Sequence, residues 1–304
     1  MTGYKLATLQ TSNGARAAAV VGELVYDAVQ LTGEARYASV PNILEDWEQA
    51  HASLEAAASK PSCTGLAVAT AKFLAPIPKP NVIYCAGANY RDHAQEMSRL
   101  AGKPPQDPRA DGALPWFFLK SPHTVVSPDA TVHVTGYGRQ IDWEAELVVI
   151  IGRKARNVPV GSALDCVAGY TCGNDLSARD QGFRPGLPES SPFRADWTRH
   201  KSFDEACPMG PWMVPATYVS DPANLSIRLW VNADLKQNSS SAQMIFSAAE
   251  QISCLSQGIT LYPGDVIMTG TPAGVGASQR KFLKSGDVMR VEIGEIGTIR
   301  NVVE

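Results

Sequence analysis

A mostly β chain of the α+β class is what this sequence predicts, and three observations predict it. From about residue 82 onward, short apolar runs alternate with Gly, Pro, Asn and Asp, and few helical stretches intervene. Ahead of that lies a helix-bearing segment ending in Leu74-Ala-Pro-Ile-Pro-Lys-Pro, whose alternating prolines remove backbone donors and favour an extended linker. The length, 304 residues, suits one large unit plus one small one. The expected organisation is therefore a small α/β N-terminal domain, residues 1–75, followed by a mostly β domain, residues 76–304.

In the first unit, Lys5–Gln10, Ala17–Val21 and Leu24–Asp27 read as strands. Ile43–Ser59, rich in Ala, Leu and Glu, reads as a helix. In the second, strands are expected at Val82–Cys85, Val125–Val126, Glu146–Ile151, Leu225–Val231, Val266–Thr269 and Val288–Ile293, with helices over Tyr90–Arg99 and Met244–Gly258. Two long irregular loops, Ala101–Leu114 and Gly182–Thr198, have the length of functional lids. Their Arg109, Phe183, Pro188, Phe193, Arg194 and Trp197 suit either the lining of a pocket for a bulky acid or a dimer contact.

Composition narrows the function classes. The net charge is −3, from 27 basic and 30 acidic residues with no basic run, so no nucleic-acid partner is expected. No apolar segment reaches the roughly 18 residues of a membrane span, and the N-terminus lacks the pattern of a secretory signal. The six cysteines are scattered without a CxxC pair, the expectation being reduced thiols in a cytoplasmic protein.

Four segments carry chemistry. In Gln140–Gly152, Asp142, Glu144 and Glu146 alternate with Trp143, Ala145 and Leu147, so a strand would put three carboxylates on one face. Either that face is solvated, or something positive sits on it, and a hard divalent cation is the economical form. Asp175, in Gly173-Asn-Asp-Leu-Ser-Ala-Arg-Asp180, follows an apolar run. There it is a third ligand or an N-cap or Asx-turn residue. In Gly87–Met97, His93 and Glu96 are i,i+3 neighbours on the expected helix. They form a general base for water or a surface salt bridge. Finally, Leu261–Gly276 matches neither a dinucleotide nor a phosphate loop. It reads as a tight loop offering the Thr271 hydroxyl and backbone N–H groups to a ligand, or as a simple turn.

Together these segments resemble the fumarylacetoacetate hydrolase superfamily: GANYRDHAQE, IDWEAELVVIIG, GYTCGNDLSARD, HKSFDEACPMGPW, VNADLKQ, LYPGDVIMTGTPAGVG and LKSGDVMRVEIGEIG occur in the expected order from about Pro80 to the C-terminus. The resemblance implies a homodimer with a distorted β-roll and a Mg2+ or Mn2+ site held by Glu144, Glu146 and Asp175. It implies that His93 and Glu96 activate water, Lys201 stabilises developing negative charge, Thr271 holds substrate and Arg179 meets a substrate carboxylate or carbonyl. Tyr90 and Gln181 complete the expected substrate-binding set. Gln181 stands one place before the position where many relatives carry Gln and this chain has Gly182. The V-N-G-E of relatives appears as Val231-Asn-Ala-Asp234, and the segments after Glu96 and before Lys201 are longer than in compact members. The implied reaction is hydrolysis of a carbon–carbon bond in a 1,3-diketone or acylpyruvate. Decarboxylation, isomerisation or dehydration at the same site are alternatives, and a non-catalytic metal or small-molecule binding protein is a further one.

Overall fold

The computed structural model describes residues 3–104, 107–134 and 136–304; Pro105 and Gln106 of the first expected loop lie outside them. The strand Ala145–Ile151 runs through the middle of a 12-stranded mixed sheet, between Val167–Asn174 and Val266–Met268. All its residues are buried, which explains why it reads as a continuous apolar run. Leu147, Val149 and Ile151 enter one core with Ile227, Leu229, Val291 and Leu255. Val148 and Ile150 enter a second with Leu44, Trp47 and Leu54. Burying a side chain of this size is worth about 1.5–3 kcal/mol, so this strand anchors both layers.

The first core lies between the large sheet and a five-stranded sheet that runs Asp234–Ser240, Ser226–Val231, Val288–Ile293, Gly297–Val303 and Thr131–Val132. The second lies on the opposite face, under the N-terminal helices. The N-terminal strands Lys5–Thr11, Gly14–Val21 and Leu24–Asp27 belong to the large sheet, joined to Cys207–Pro215 by the Leu6–Met213 pair. The prolines of residues 74–80 do make an extended segment, but it is packed: Ala75 and Ile77 are buried, and Thr8 Oγ1 donates to Pro76 O at 2.7 Å.

Several element bounds differ from expectation. The Ile43–Ser59 helix is two helices, Val40–Glu45 and Trp47–Ser59. They break at Asp46, whose carboxylate takes Tyr37 Oη and Arg36. The later helix begins at Ala248, because Ser247 and Glu250 close a capping box there. Cys207–Pro215, a central strand, went unread because its prolines argue against one. Pro211 falls where the pairing with Tyr170 and Cys172 shifts register. No helix among the described residues is long and apolar enough to cross a membrane.

Candidate active site

The acidic strand ends earlier than its pattern implies. Ile141–Asp142 leaves the main sheet and pairs with Ser177–Ala178, so Asp142 parts from the other two carboxylates. It accepts hydrogen bonds from Gly276 N–H at 2.6 Å and Ala277 N–H at 2.9 Å. Asp175 takes its place. Glu144 N–H donates to Asn174 Oδ1 and Asp175 N–H to Glu144 O, both at 2.9 Å, and this clasp joins the two strand ends. One carboxylate oxygen from each of Glu144, Glu146 and Asp175 comes within 4.8 Å of the others, all three residues being buried. The solvated-face reading is thereby excluded, as is a mere turn role for Asp175.

Two buried lysines face this cluster. Lys201 Nζ donates to Glu144 Oε2 at 2.8 Å and to Asp175 Oδ2 at 2.6 Å. Lys120 Nζ lies 2.6 Å from Asp175 Oδ1 yet outside hydrogen-bonding geometry, leaving that oxygen without a hydrogen bond. Lys120 donates instead to the carbonyls of Leu176 and Lys201. Burial alone would raise the Glu144 carboxyl, but Lys201 and Arg179 outweigh it and hold the group well below the usual glutamate range. At Glu146 the charge of Lys201 is outweighed. Burial, then the charges of Asp175 and Glu144, push it well above its ordinary value, and it accepts a hydrogen bond from Gly270 N–H at 2.8 Å.

A buried Glu146 beside two further carboxylates, its charge opposed by both and only partly offset by Lys201, is an arrangement that a cation relieves. The donor set is three carboxylates, with neither thiol nor imidazole in the cluster. That set suits a hard divalent ion that keeps positions open for water or substrate.

The helix Arg91–Leu100 brings His93, with Glu96 beside it, to a cavity that Glu144 also lines. It is docked by Arg91 on the Met244 carbonyl at 2.8 Å and by Ser239 Oγ on Asp92 at 2.6 Å. His93 Nδ1 stands 3.3 Å from Glu96 Oε2, the side chains being 14% and 16% exposed, so the pair is not a surface salt bridge. Burial raises the Glu96 carboxyl, but hydrogen bonds from His93, Ser278 and Gly274 N–H together hold it below its ordinary value. An ionised Glu96 orients the imidazole with Nδ1–H toward itself. The cavity, of about 210 Å3, is lined by His93, Glu144, Lys201, Arg179 and Thr271, with Gly87, Met97, Trp116, Phe118 and Trp197 on its outer side.

Other expected contacts sit differently. Arg179 donates to Asp142 Oδ2 at 2.9 Å and to Glu144 Oε1, so its charge is spent within the protein. Thr271 donates its hydroxyl hydrogen to the Ala145 carbonyl and accepts from Gln237. Gln237, through Ala145 N–H as well, clamps this loop to the acidic strand. Tyr90 is wholly buried with an unpartnered hydroxyl and does not line the cavity. Gln181 accepts from Arg199 outside it. Neither is among the residues that line the cavity. Of the loop residues, Trp197 alone lines the cavity. Arg109 is bound to Ile245 O and Glu250, and Arg194 lies over the Phe183 ring. Lys120, Gln237, Trp116 and Phe118 were not singled out from sequence. The signal for three of them was Trp116-Phe-Phe-Leu-Lys120, a strand whose alternate residues end on a lysine.

The family described as fumarylacetoacetate (FAA) hydrolase C-terminal matches residues 82–304. A mitochondrial oxaloacetate tautomerase, fahd2 of Xenopus laevis, is 41% identical over 232 residues, covering 76% of this chain and 67% of that one. Fumarylacetoacetate hydrolase from Exiguobacterium antarcticum superposes with a TM-score of 0.79 at 29% identity, 99% of each chain being covered. Maleylpyruvate hydrolase from Sphingobium sp. SYK-6, in complex with manganese(II) and pyruvate, superposes with a TM-score of 0.74 at 29% identity over 98% of each chain. The match spans the strands that carry Glu144, Glu146 and Asp175, the helix of His93 and the Thr271 loop, and by it the chain belongs to the fumarylacetoacetate hydrolase family.

Proposed function

We propose that this protein uses a hard divalent cation, Mg2+ or Mn2+, to process a small 2-oxo acid through its enolate, with hydrolysis of an acylpyruvate carbon–carbon bond as the reaction. The observation that carries the reading is that Glu144, one member of the Glu144–Glu146–Asp175 cluster, and His93, held by Glu96, line one cavity. The manganese and pyruvate of the Sphingobium relative support it. Held by the three carboxylates, the ion would supply a Lewis acid for the substrate's carbonyl oxygens.

The chain's own groups do the rest. With Nδ1–H on Glu96, His93 presents Nε2 as the base, taking a proton from water; a base so placed is worth about 10²–10⁴ in rate. Lys201 Nζ, in the cavity wall, offers positive charge to oxygen that becomes negative as the bond breaks.

A second reading is favoured by the Xenopus relative's name. In tautomerisation His93 would take the proton from substrate carbon, and no water would be consumed. Asp175→Ala is expected to lose metal binding and turnover together, and His93→Ala to keep the metal and lose at least about 100-fold in kcat. Label from 18O-water in the product separates hydrolysis from tautomerisation. Full activity in His93→Ala would remove the dyad from the mechanism.

A further inference from the structure

The two elements that bring lysines to the acidic cluster also bring aromatic rings to the cavity mouth, and they do so by their own periodicities. On the strand Phe117–Lys120 with Trp116 ahead of it, residues 116, 118 and 120 share one face. Lys120 reaches Asp175, and Phe118 and Trp116 line the opening. On the helix Trp197–Lys201, positions i and i+4 share a face. Lys201 reaches Glu144 and Asp175, and Trp197 lines the opening. The three rings form a cluster, with centroids 4.9 Å apart for Trp116–Trp197, 5.3 Å for Phe118–Trp197 and 5.8 Å for Trp116–Phe118.

The cluster is held open. Trp116 is 47% and Trp197 39% exposed, although exposed contiguous apolar surface of this kind is generally a binding surface. Trp116 lies against the backbone of Gly87, where a Cβ would come within 1.9 Å of the indole. Trp197 is carried by the excursion 182–198, which is closed by the Phe183–Ala195 bridge and the Arg184–Asp196 pair at 3.1 Å. The cations that line the cavity are committed: Arg179 to Asp142 and Glu144, Lys201 to Glu144 and Asp175. Among the described residues, the outer end of the cavity holds rings and no cation, so a second carboxylate there would be desolvated without a partner, which costs affinity.

We propose that the outer half of this cavity is an aryl subsite, and that the preferred substrate is a 2-oxo acid whose substituent is a planar apolar ring and not a second carboxylate. The polar head then lies at the lysine and carboxylate end and the ring among Trp116, Phe118 and Trp197. A volume of about 210 Å3, below the ~300–1,000 Å3 of drug-sized pockets, takes a pyruvyl head and one ring. The placement of the head rests on the function proposed above; the ring's does not.

The test measures binding of three probes to manganese-loaded protein by tryptophan fluorescence and calorimetry: oxalate (head alone), phenylpyruvate (head and ring) and oxaloacetate (head and carboxylate). Phenylpyruvate should bind about tenfold more tightly than oxaloacetate. Trp197→Ala should lose about that factor for phenylpyruvate while oxalate stays within about twofold. Trp197→Arg should invert the preference, since a site then offers the second carboxylate a partner. If oxalate fails to bind but phenylpyruvate binds and is lost in Trp197→Ala, the subsite stands and the metal-headed reading falls. Equal binding of phenylpyruvate and oxaloacetate, unchanged in both variants, overturns the subsite. So does conversion of an oligomer to monomers by Trp197→Ala with ligand preference intact, because the rings would then be a contact between copies.

Discussion

The inner and outer ends of the cavity are supplied by the same strand and the same short helix, yet they are stabilised in opposite ways. At the inner end Glu144, Glu146, Asp175, Lys120 and Lys201 are buried, each bound to an opposite charge or a backbone group, beside sheet strands gripped by two cores. At the outer end rings touch one another and solvent, on a strand end and a loop excursion. The contrast teaches where tolerance to change should lie. A buried ion set fails when one member is removed, because the remaining charge is left in low dielectric, whereas a half-exposed ring leaves no uncompensated group behind.

Lys120→Met gives the hardest test of that contrast. It strips Asp175 of a buried partner at 2.6 Å, so the expected loss is about 3–5 kcal/mol of unfolding free energy, read by denaturant titration. A part of it should return on adding Mn2+, whose binding to the folded state alone is stabilising. A loss no greater than that of Trp197→Ala would erase the distinction between the two ends.

Glu146→Gln sharpens it. The amide keeps an acceptor for Gly270 N–H and, at a pH above the raised Glu146 value, removes the charge that Asp175 and Glu144 oppose, so melting is measured there. The metal-free protein should melt at a higher temperature while Mn2+ affinity drops at least about 100-fold, more than the loss of an outer partner would cause. A lower melting temperature would mean that Glu146 is compensated after all. Gly87→Ala is the smallest of the three. Its methyl would collide with Trp116, so the cost is about 1–3 kcal/mol of overpacking. The ring must move, and phenylpyruvate binding should weaken with the acidic end untouched.

Legibility divides along similar lines. The Glu144–Glu146 spacing, the His93–Glu96 spacing and the alternation of Ala145–Ile151 are local periodicities, and each pattern placed its residues on a common face. Asp142 broke the same pattern, because the main sheet starts only at Ala145 and Gly276 and Ala277 offer Asp142 two N–H groups. Arg179, expected at a substrate, lines the cavity and also pairs with carboxylates 35 and 37 residues away, which no local spacing shows. Composition suggested a separate N-terminal unit. That its strands extend the large sheet through Leu6 and Met213 was not visible there, since a single cross-strand pair leaves no periodic trace.

By itself, then, the sequence determined which side chains share a face, which backbone stretches extend or coil, and where carboxylates and a histidine that could act together stand along the chain. Those follow from fixed repeats of 2 and about 3.6 residues. Tertiary structure alone decided which faces meet: that Asp175 and not Asp142 joins Glu144 and Glu146, that Lys120 reaches across 55 residues to Asp175, and that Trp116 and Trp197 close on one opening. Such meetings depend on how sheets stack and strands twist, and electrostatic and packing energies act on distances through space, to which separation along the chain is no guide.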